Sequence, residues 1–361
     1  MIRKVLGQIP FLVFIAVISL VLMEIGSRFL FPAWAPVSGD RKFWQYDPEL
    51  GWSGVPDAKG RMQSIDFSVD VSLNSDGLRD SEYPVKRVAG KKRMLLMGDS
   101  FGWGFGVEQD EIFIEQIEAR NEGWEIINAS VSGYGTDQEY LYYVERGHRY
   151  QPDVVMLLFH AGNDFTNSAS ATQYWHNKPL FLLRGEELEL SSVPVPGISL
   201  PQRLASYISA NTYFLRMASS LVMKWRAAFT SAPSVLETGA PASGVSGKIL
   251  QESDGVSRPL EAEERIVRLM LALNRAVRED GGRLVVIGTP TRNEVFHDAR
   301  FLDSGIHFFS LSNIFRDVEE RVVFEHDSHW NAAGHSILAD DVERELREIG
   351  IFESEEDRQA R

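Results

Sequence analysis

The stretch LLMGDSFGWGF (residues 95–105) sets Gly98-Asp99-Ser100 at the end of an apolar run. There Gly98 allows a tight turn, and Ser100 lies near the start of the next helix, whose positive end favours negative charge developing beside the serine. The same tripeptide also fits a serine that only caps that helix. Three further places stand in comparable positions. Ser132-Gly133-Tyr134-Gly135 follows WEIINA, and a glycine there brings a backbone N–H close to a substrate oxygen, or else makes an ordinary turn. HAGND follows DVVMLLF and offers the Asn163 amide as a donor, or else an Asx turn. In HDSHWNAAGH, Asp327 stands two residues before His329. A carboxylate so placed holds the imidazole Nδ1–H while Nε2 faces a nucleophile, as serine acyl transfer requires. His326, Asp327, His329 and His335 also read as a metal site, although no Glu lies between histidines at HExxH spacing. His335 reads more simply as a residue that caps or packs the last helix. No cofactor is implied by any of these stretches.

The elements that must hold such residues follow from hydrophobic patterning. RMLLM, WEIINA, DVVMLLF, GRLVVIG and IHFFSL are short, nearly continuous apolar runs, the pattern of strands buried on both faces of a parallel sheet. Between them DEIFIEQIEAR, TDQEYLYYVERGHRY, EAEERIVRLMLALNRAVRE and NAAGHSILADDVERELREIG read as helices. The alternation predicts an α/β sandwich over residues 93–350. All four chemical stretches then fall where strands end and helices begin, the ligand-binding side of such a sheet. Residues 37–92 form a polar, turn-rich lead-in with β content, including the alternating SIDFSVDVSL, and residues 351–361 form a polar tail. An insertion over about 165–259 interrupts the alternation. It holds a hairpin (PLFLLRGEELELSSV), an amphipathic helix (PQRLASYISANTYFLRMASSLVMKWRAAF) whose Met and aromatic residues are expected to pack on the body, and a flexible Ala-, Ser-, Gly- and Pro-rich loop over 230–250.

The first 36 residues are of another kind. Val5 to Met23 carries no charge and the apolar character resumes from Ile25 to Phe31, enough for a bilayer-spanning helix. Glu24 and Arg28, one turn apart, are expected to pair near the outer interface, with Trp34 at headgroup level. Arg3, Lys4 and the terminal amine favour a cytoplasmic N-terminus, so that the rest is exported to a periplasmic or extracellular space. A cleaved signal peptide is the alternative, with Ala33-Trp34-Ala35 as cleavage site; Pro36 directly after it favours an uncleaved anchor. The 361 residues carry 51 acidic against 37 basic side chains, a net charge of −14, which argues against nucleic-acid partners and anionic headgroups. With no cysteine, a thiol nucleophile, a thiolate metal site and disulfides are all excluded.

Taken together, Gly98-Asp99-Ser100, Gly133, Gly162-Asn163-Asp164 and the close Asp327 and His329 resemble, in order, the blocks of the SGNH or GDSL hydrolase superfamily. The resemblance covers about residues 90–350. It implies a three-layer sandwich on a five-stranded, flavodoxin-like parallel sheet. It also implies Ser100 as nucleophile, His329 as general base, Asp327 as its orienter, and an oxyanion hole built from the Ser100 N–H, the Gly133 N–H and the Asn163 side chain. Many members place the Asp three residues before the His, where this chain has His326. The shorter spacing, with DPELGW, NSDGLRD, GYGTDQE and GNDF, resembles membrane-anchored bacterial members linked to envelope or exopolysaccharide acetylation. If Asp327 points elsewhere, the family allows a dyad with a backbone carbonyl as orienter.

The function so implied is ester hydrolysis through an acyl-serine, on O-acylated carbohydrate or a small lipid ester. A polysaccharide O-acetyltransferase would use the same residues. A third reading is a non-catalytic glycan-binding protein in which Trp103, Tyr134, Trp175 and Trp330 matter more than Ser100.

Overall fold

The apolar runs become strands because their residues are buried on both sides. The computed structural model describes residues 9–218, 259–289, 298–316 and 318–352. In it β5 (Lys92–Gly98), β6 (Trp124–Asn128), β7 (Val154–Phe159), β12 (Arg283–Gly288) and β13 (His307–Ser310) form one parallel sheet in the order β6-β5-β7-β12-β13. Each begins or ends within a residue or two of the run that predicted it. The order is the flavodoxin-like one, and its reversal lies between β5 and β7, where the crevice of such a sheet opens.

Successive strand residues feed opposite layers. Leu95, Met97, Val155, Leu157 and Val286 pack on one side with α4 (Thr136–Glu145) and α7 (Pro259–Glu279). Met94, Leu96, Met156, Leu158 and Val285 pack on the other with α3 (Phe113–Arg120) and α9 (Ala332–Glu348). Each fully buried Leu or Val contributes about 1.5–3 kcal/mol, so the two layers hold the helices to the sheet. Ile351 and Phe352, expected to open the polar tail, are buried in the second layer against Trp124. The rest of the tail and the 230–250 loop lie outside the described residues.

The lead-in is two antiparallel hairpins, β1 (Trp44–Asp47) with β2 (Gly51–Gly54) and β3 (Lys59–Gln63) with β4 (Ser68–Ser72). The alternation in SIDFSVDVSL appears as buried Val69 and Val71 between exposed neighbours. Their apolar side joins Phe43, Met62 and Phe67 to Trp103 and Phe105, residues just past Ser100. Backbone oxygens of Leu50 and Trp52 accept the Gln138 amide at 2.7 Å and the Tyr134 hydroxyl at 2.6 Å, and Trp52 Nε1 donates to the Ser132 oxygen at 3.1 Å. Asp80 accepts the Asn128 N–H at 2.6 Å. DPELGW, NSDGLRD and GYGTDQE thus meet one another where the lead-in clamps the end of β6.

The insertion opens with the one-turn α5 (Asp164–Asn167), a minimal pair β8 (Thr172–Gln173) and β9 (His176–Asn177), and the expected hairpin β10 (Leu180–Arg184) with β11 (Glu187–Ser191). Its helix differs from expectation. The first piece, α6 (Leu200–Asn211), stops at Thr212, which is extended, and residues 213–218 are helical again. The break has a local cause: the Tyr213 and Phe214 N–H groups are donated to the Glu24 carboxylate at 3.1 and 3.0 Å, which caps a new helix start. Residues 219–229 lie outside the described residues. None of the α6 residues is buried, so its aromatic Tyr207 does not pack on the body.

Glu24 belongs to α1 (Ile9–Leu30), a long apolar helix whose side chains from Phe11 to Val21 are largely exposed. Glu24 and Arg28 pair at 2.9 Å, as their spacing predicted.

Candidate active site

β5 delivers Ser100 to the crevice at the sheet's order reversal, on the first residue of α2 (Ser100–Trp103). Ser100 does not cap that turn. Asp99 does, its Oδ1 accepting the Phe101 N–H at 2.9 Å. Ser100 Oγ instead meets His329 Nε2 at 2.7 Å, and His329 Nδ1 bonds Asp327 Oδ1, which also accepts the His329 N–H at 2.9 Å. The two-residue spacing makes this possible: backbone and ring of His329 converge on one carboxylate oxygen. Ser100, His329 and Asp327 are each about a tenth exposed, so the chain of bonds is sheltered yet open at one end.

Burial works against a charged His329, but the Asp327 charge, its hydrogen bond and the Asp99 charge outweigh it and hold the imidazole above its ordinary value. Burial likewise pushes Asp327 up, and the His329 charge and bonds, with the Arg216 charge, bring it below the usual carboxylate range. The pair therefore favours an imidazolium beside a carboxylate, the state a proton-accepting histidine passes through.

β7 delivers Asn163. Its side chain makes no bond to the turn it begins, so the Asx-turn alternative fails. One of its amide hydrogens goes to Asp99 Oδ2 at 2.8 Å, leaving the second for another acceptor. Asp99 thus ties the loop after β5 to the loop after β7. Gly133, after β6, has φ +83°, and a Cβ there would lie 2.6 Å from the Tyr174 ring. Only glycine brings the backbone this close under Tyr174. Among the described residues, neither the Ser100 N–H nor the Gly133 N–H finds an acceptor.

The four residues of the metal reading do not converge. His326 is held by Asp66, its N–H at 3.0 Å and its Nδ1 at 2.8 Å. His335 is buried under Trp330 and accepts the Phe113 N–H at 3.3 Å, and burial brings it down to about 3. The aromatic set of the glycan-binding reading is disassembled too: Trp103, Tyr134 and Trp330 are buried in the core.

Several contributors lay beyond sequence reasoning. Phe101 and Phe105 both pack against the His329 ring, at 4.7 and 4.5 Å between centroids. Asp66, in the lead-in, fixes the loop that carries Asp327. Arg79 is fully buried and donates to the oxygens of Gly104 and, at 2.5 Å, Val107, fixing the chain just past α2. The only sequence signal for these was their nearness to motif words: Phe101 adjoins the serine and Arg79 stands in NSDGLRD.

No family model and no curated protein matches the sequence. Among solved structures the chain is similar to TesA, with 9% identity and a TM-score of 0.38, over 72% of this chain and 99% of that one. It is similar also to the acetyl xylan esterase AlAXEase, with 10% identity and a TM-score of 0.37 over 70% and 99% of the two chains. A third is the acetylxylan esterase Axe2 from Geobacillus stearothermophilus, with 11% identity and a TM-score of 0.36 over 73% and 97%. At these values the functional reading rests on the chain's own geometry.

Proposed function

We propose that the chain is a serine-dependent ester hydrolase of SGNH type, anchored in a membrane by α1 and acting outside the cytoplasm on O-acylated carbohydrate or a small lipid ester. The observation that carries this reading is the continuous Ser100–His329–Asp327 hydrogen-bond chain at the sheet's order reversal. Ser100 Oγ attacks the ester carbonyl as His329 Nε2 takes its proton. Asp327 keeps the ring's Nδ1–H pointed inward and stabilises the imidazolium. The carbonyl oxygen, now negative, is received by the Ser100 and Gly133 N–H groups and the free hydrogen of the Asn163 amide. Collapse expels the alcohol, protonated by His329, and leaves acyl-Ser100. Water, deprotonated by the same imidazole, then releases the acid.

The test is a fluorophosphonate probe on the detergent-solubilised full chain, read by intact mass. The wild type is expected to gain one adduct and Ser100→Ala none. A folded wild type that stays unlabelled would make Ser100 a turn residue and end the acyl-transfer reading.

A further inference from the structure

Helix α6 is turned inside out. Its polar side chains face the protein: Gln202 donates to Asn177 Oδ1 at 2.9 Å, and Ser206 Oγ receives Arg41 at 3.0 Å, four residues on and so on the same side of the helix. Three of its large apolar side chains face away, while Ala205 and Ile208 are half-buried. Leu200 is 79% exposed, Leu204 58% and Tyr207 61%, spaced at i, i+4 and i+7 on one stripe with exposed Arg203. A helix washed by water on its outer face shows the opposite distribution.

Its position says what covers the stripe. Arg28 of α1 donates to the Asn211 oxygen at 3.4 Å at the end of α6 and lies over the Tyr213 ring at 5.4 Å, while Glu24 takes the Tyr213 and Phe214 N–H groups. Glu24 and Arg28 are the first charges after the uncharged run of α1, and charged groups gather where a span leaves the hydrocarbon. The joint between α6 and the next helical residues therefore sits at the level where α1 leaves the bilayer. Beside it α1 exposes Phe29 and Leu30, at 82% and 73%, continuing the apolar surface.

We propose that α6 is an interfacial helix, its Leu200, Leu204 and Tyr207 stripe lying in the headgroup–acyl boundary of the bilayer that α1 crosses. This rests on the reading of α1 as a membrane span. The occupant is lipid rather than a protein partner, because the end of α6 is tied to α1 by Glu24 and Arg28 at the level where the span leaves the hydrocarbon. With a net charge of −14, the attraction is apolar and suits zwitterionic headgroups. Arg216, two residues past Phe214, acts electrostatically on Asp327, so the segment that starts at the membrane joint reaches the catalytic pair. The site would then open beside the lipid surface and favour esters that partition into it.

Because the chain has no cysteine, single substitutions carry a label cleanly. Full-length Leu204→Cys and Tyr207→Cys, with Leu20→Cys in α1 and the exposed Glu348→Cys in α9, are labelled with an environment-sensitive fluorophore in phosphatidylcholine nanodiscs. Circular dichroism and a single melting transition verify that each variant is folded. Lipids brominated near the headgroup are expected to quench positions 204 and 207 severalfold more than position 348, while deep bromination quenches position 20. Quenching at 20 with none at 204 and 207 would overturn the interfacial helix while leaving the anchor intact. Shielding of 204 and 207 without quenching, in discs that hold two copies, would overturn it in favour of a second chain. An unquenched position 20 would overturn the membrane span, and the interfacial helix with it.

Discussion

At the scale of single residues, the site is organised around two carboxylates with different tasks. Asp327 addresses the imidazole, and Asp99 addresses the donor amide of Asn163 and the backbone of the serine turn. Asp327→Asn separates them. The variant keeps the shape but loses the charge that raises His329, and it offers an amide hydrogen where Nδ1–H needs an acceptor. The expected fall in kcat is roughly 10⁴-fold. The pH profile adds a sign. The proposed mechanism needs neutral His329, so the wild-type acid limb of kcat/KM should lie above the ordinary histidine value of 6.5, since the net shift is upward. Without the Asp327 charge, burial prevails and the limb should move to lower pH. A profile of chromogenic ester hydrolysis checks both, and an unmoved limb would show that Asp327 does not set the His329 charge. The four chemical positions were legible in the sequence because each is a local event, a few polar residues closing an apolar run. The rings of Phe101 and Phe105 were not, since they stand beside Ser100 in sequence but far from His329, and only the packed fold shows that they meet the imidazole.

At the scale of elements, the strands deliver Ser100, Gly133 and Asn163, but a hairpin they do not pair with holds the loop that carries His329. Asp66 reaches His326 across 260 positions of sequence. Removing it by Asp66→Ala leaves the sheet whole and frees the loop ahead of Asp327. Misplacement of a reacting group by about 1 Å costs on the order of 100-fold, so a loss of between about 10- and 100-fold in kcat is expected, with KM nearly unchanged and an unshifted melting transition. Wild-type kcat in Asp66→Ala would assign the hairpin to support alone. The parallel sheet and its helices followed from periodicity, because parallel strands buried on both faces leave continuous apolar runs, whereas the strand order came from the resemblance alone. The break at Thr212 did not, because its cause is a carboxylate in another helix rather than anything in the local pattern. His326 shows the same limit, being an orphan beside the motif until its partner is seen.

At the scale of the whole molecule, acidity is carried inward as well as on the surface. Glu139 is 1% exposed, and neither of its oxygens has a hydrogen-bond partner among the described residues. Burial, then the charges of Asp99 and Asp137, push it well above the usual carboxylate range, against the pull of Lys178. Asp164 is raised by burial and then by Glu139, Asp99 and Asp137, with the His160 N–H working the other way. A carboxyl whose value rises on folding makes the folded state less stable as pH climbs through and beyond its unfolded value near 4.5. Glu139→Gln removes that cost while keeping the shape, and its amide hydrogens meet a neighbourhood of carboxylates. The variant should melt at a higher temperature than wild type at pH 8, with the gap closing toward pH 4.5, as calorimetry across that range would show. An equal or lower Tm at pH 8 would mean that Glu139 holds a favourable charge there.

The lead-in that shelters the site has a consequence for the order in which the molecule is completed. Its residues leave the ribosome early, yet its small core closes on Trp103 and Phe105, its edges on Ser132, Tyr134 and Gln138, and its Asp66 on His326, near the far end of the chain. Contacts of such long sequence separation form late, after the loop entropy between them has been offset by other structure. A segment that emerges early is therefore among the last to be satisfied. Its hairpins wait, with Val69, Val71 and Trp52 uncovered, until the sheet has assembled behind them. A ribosome stalled before His326 would hold a chain in which all five strands of the sheet have been made while the lead-in, still lacking its last partner, is open to chaperone or protease.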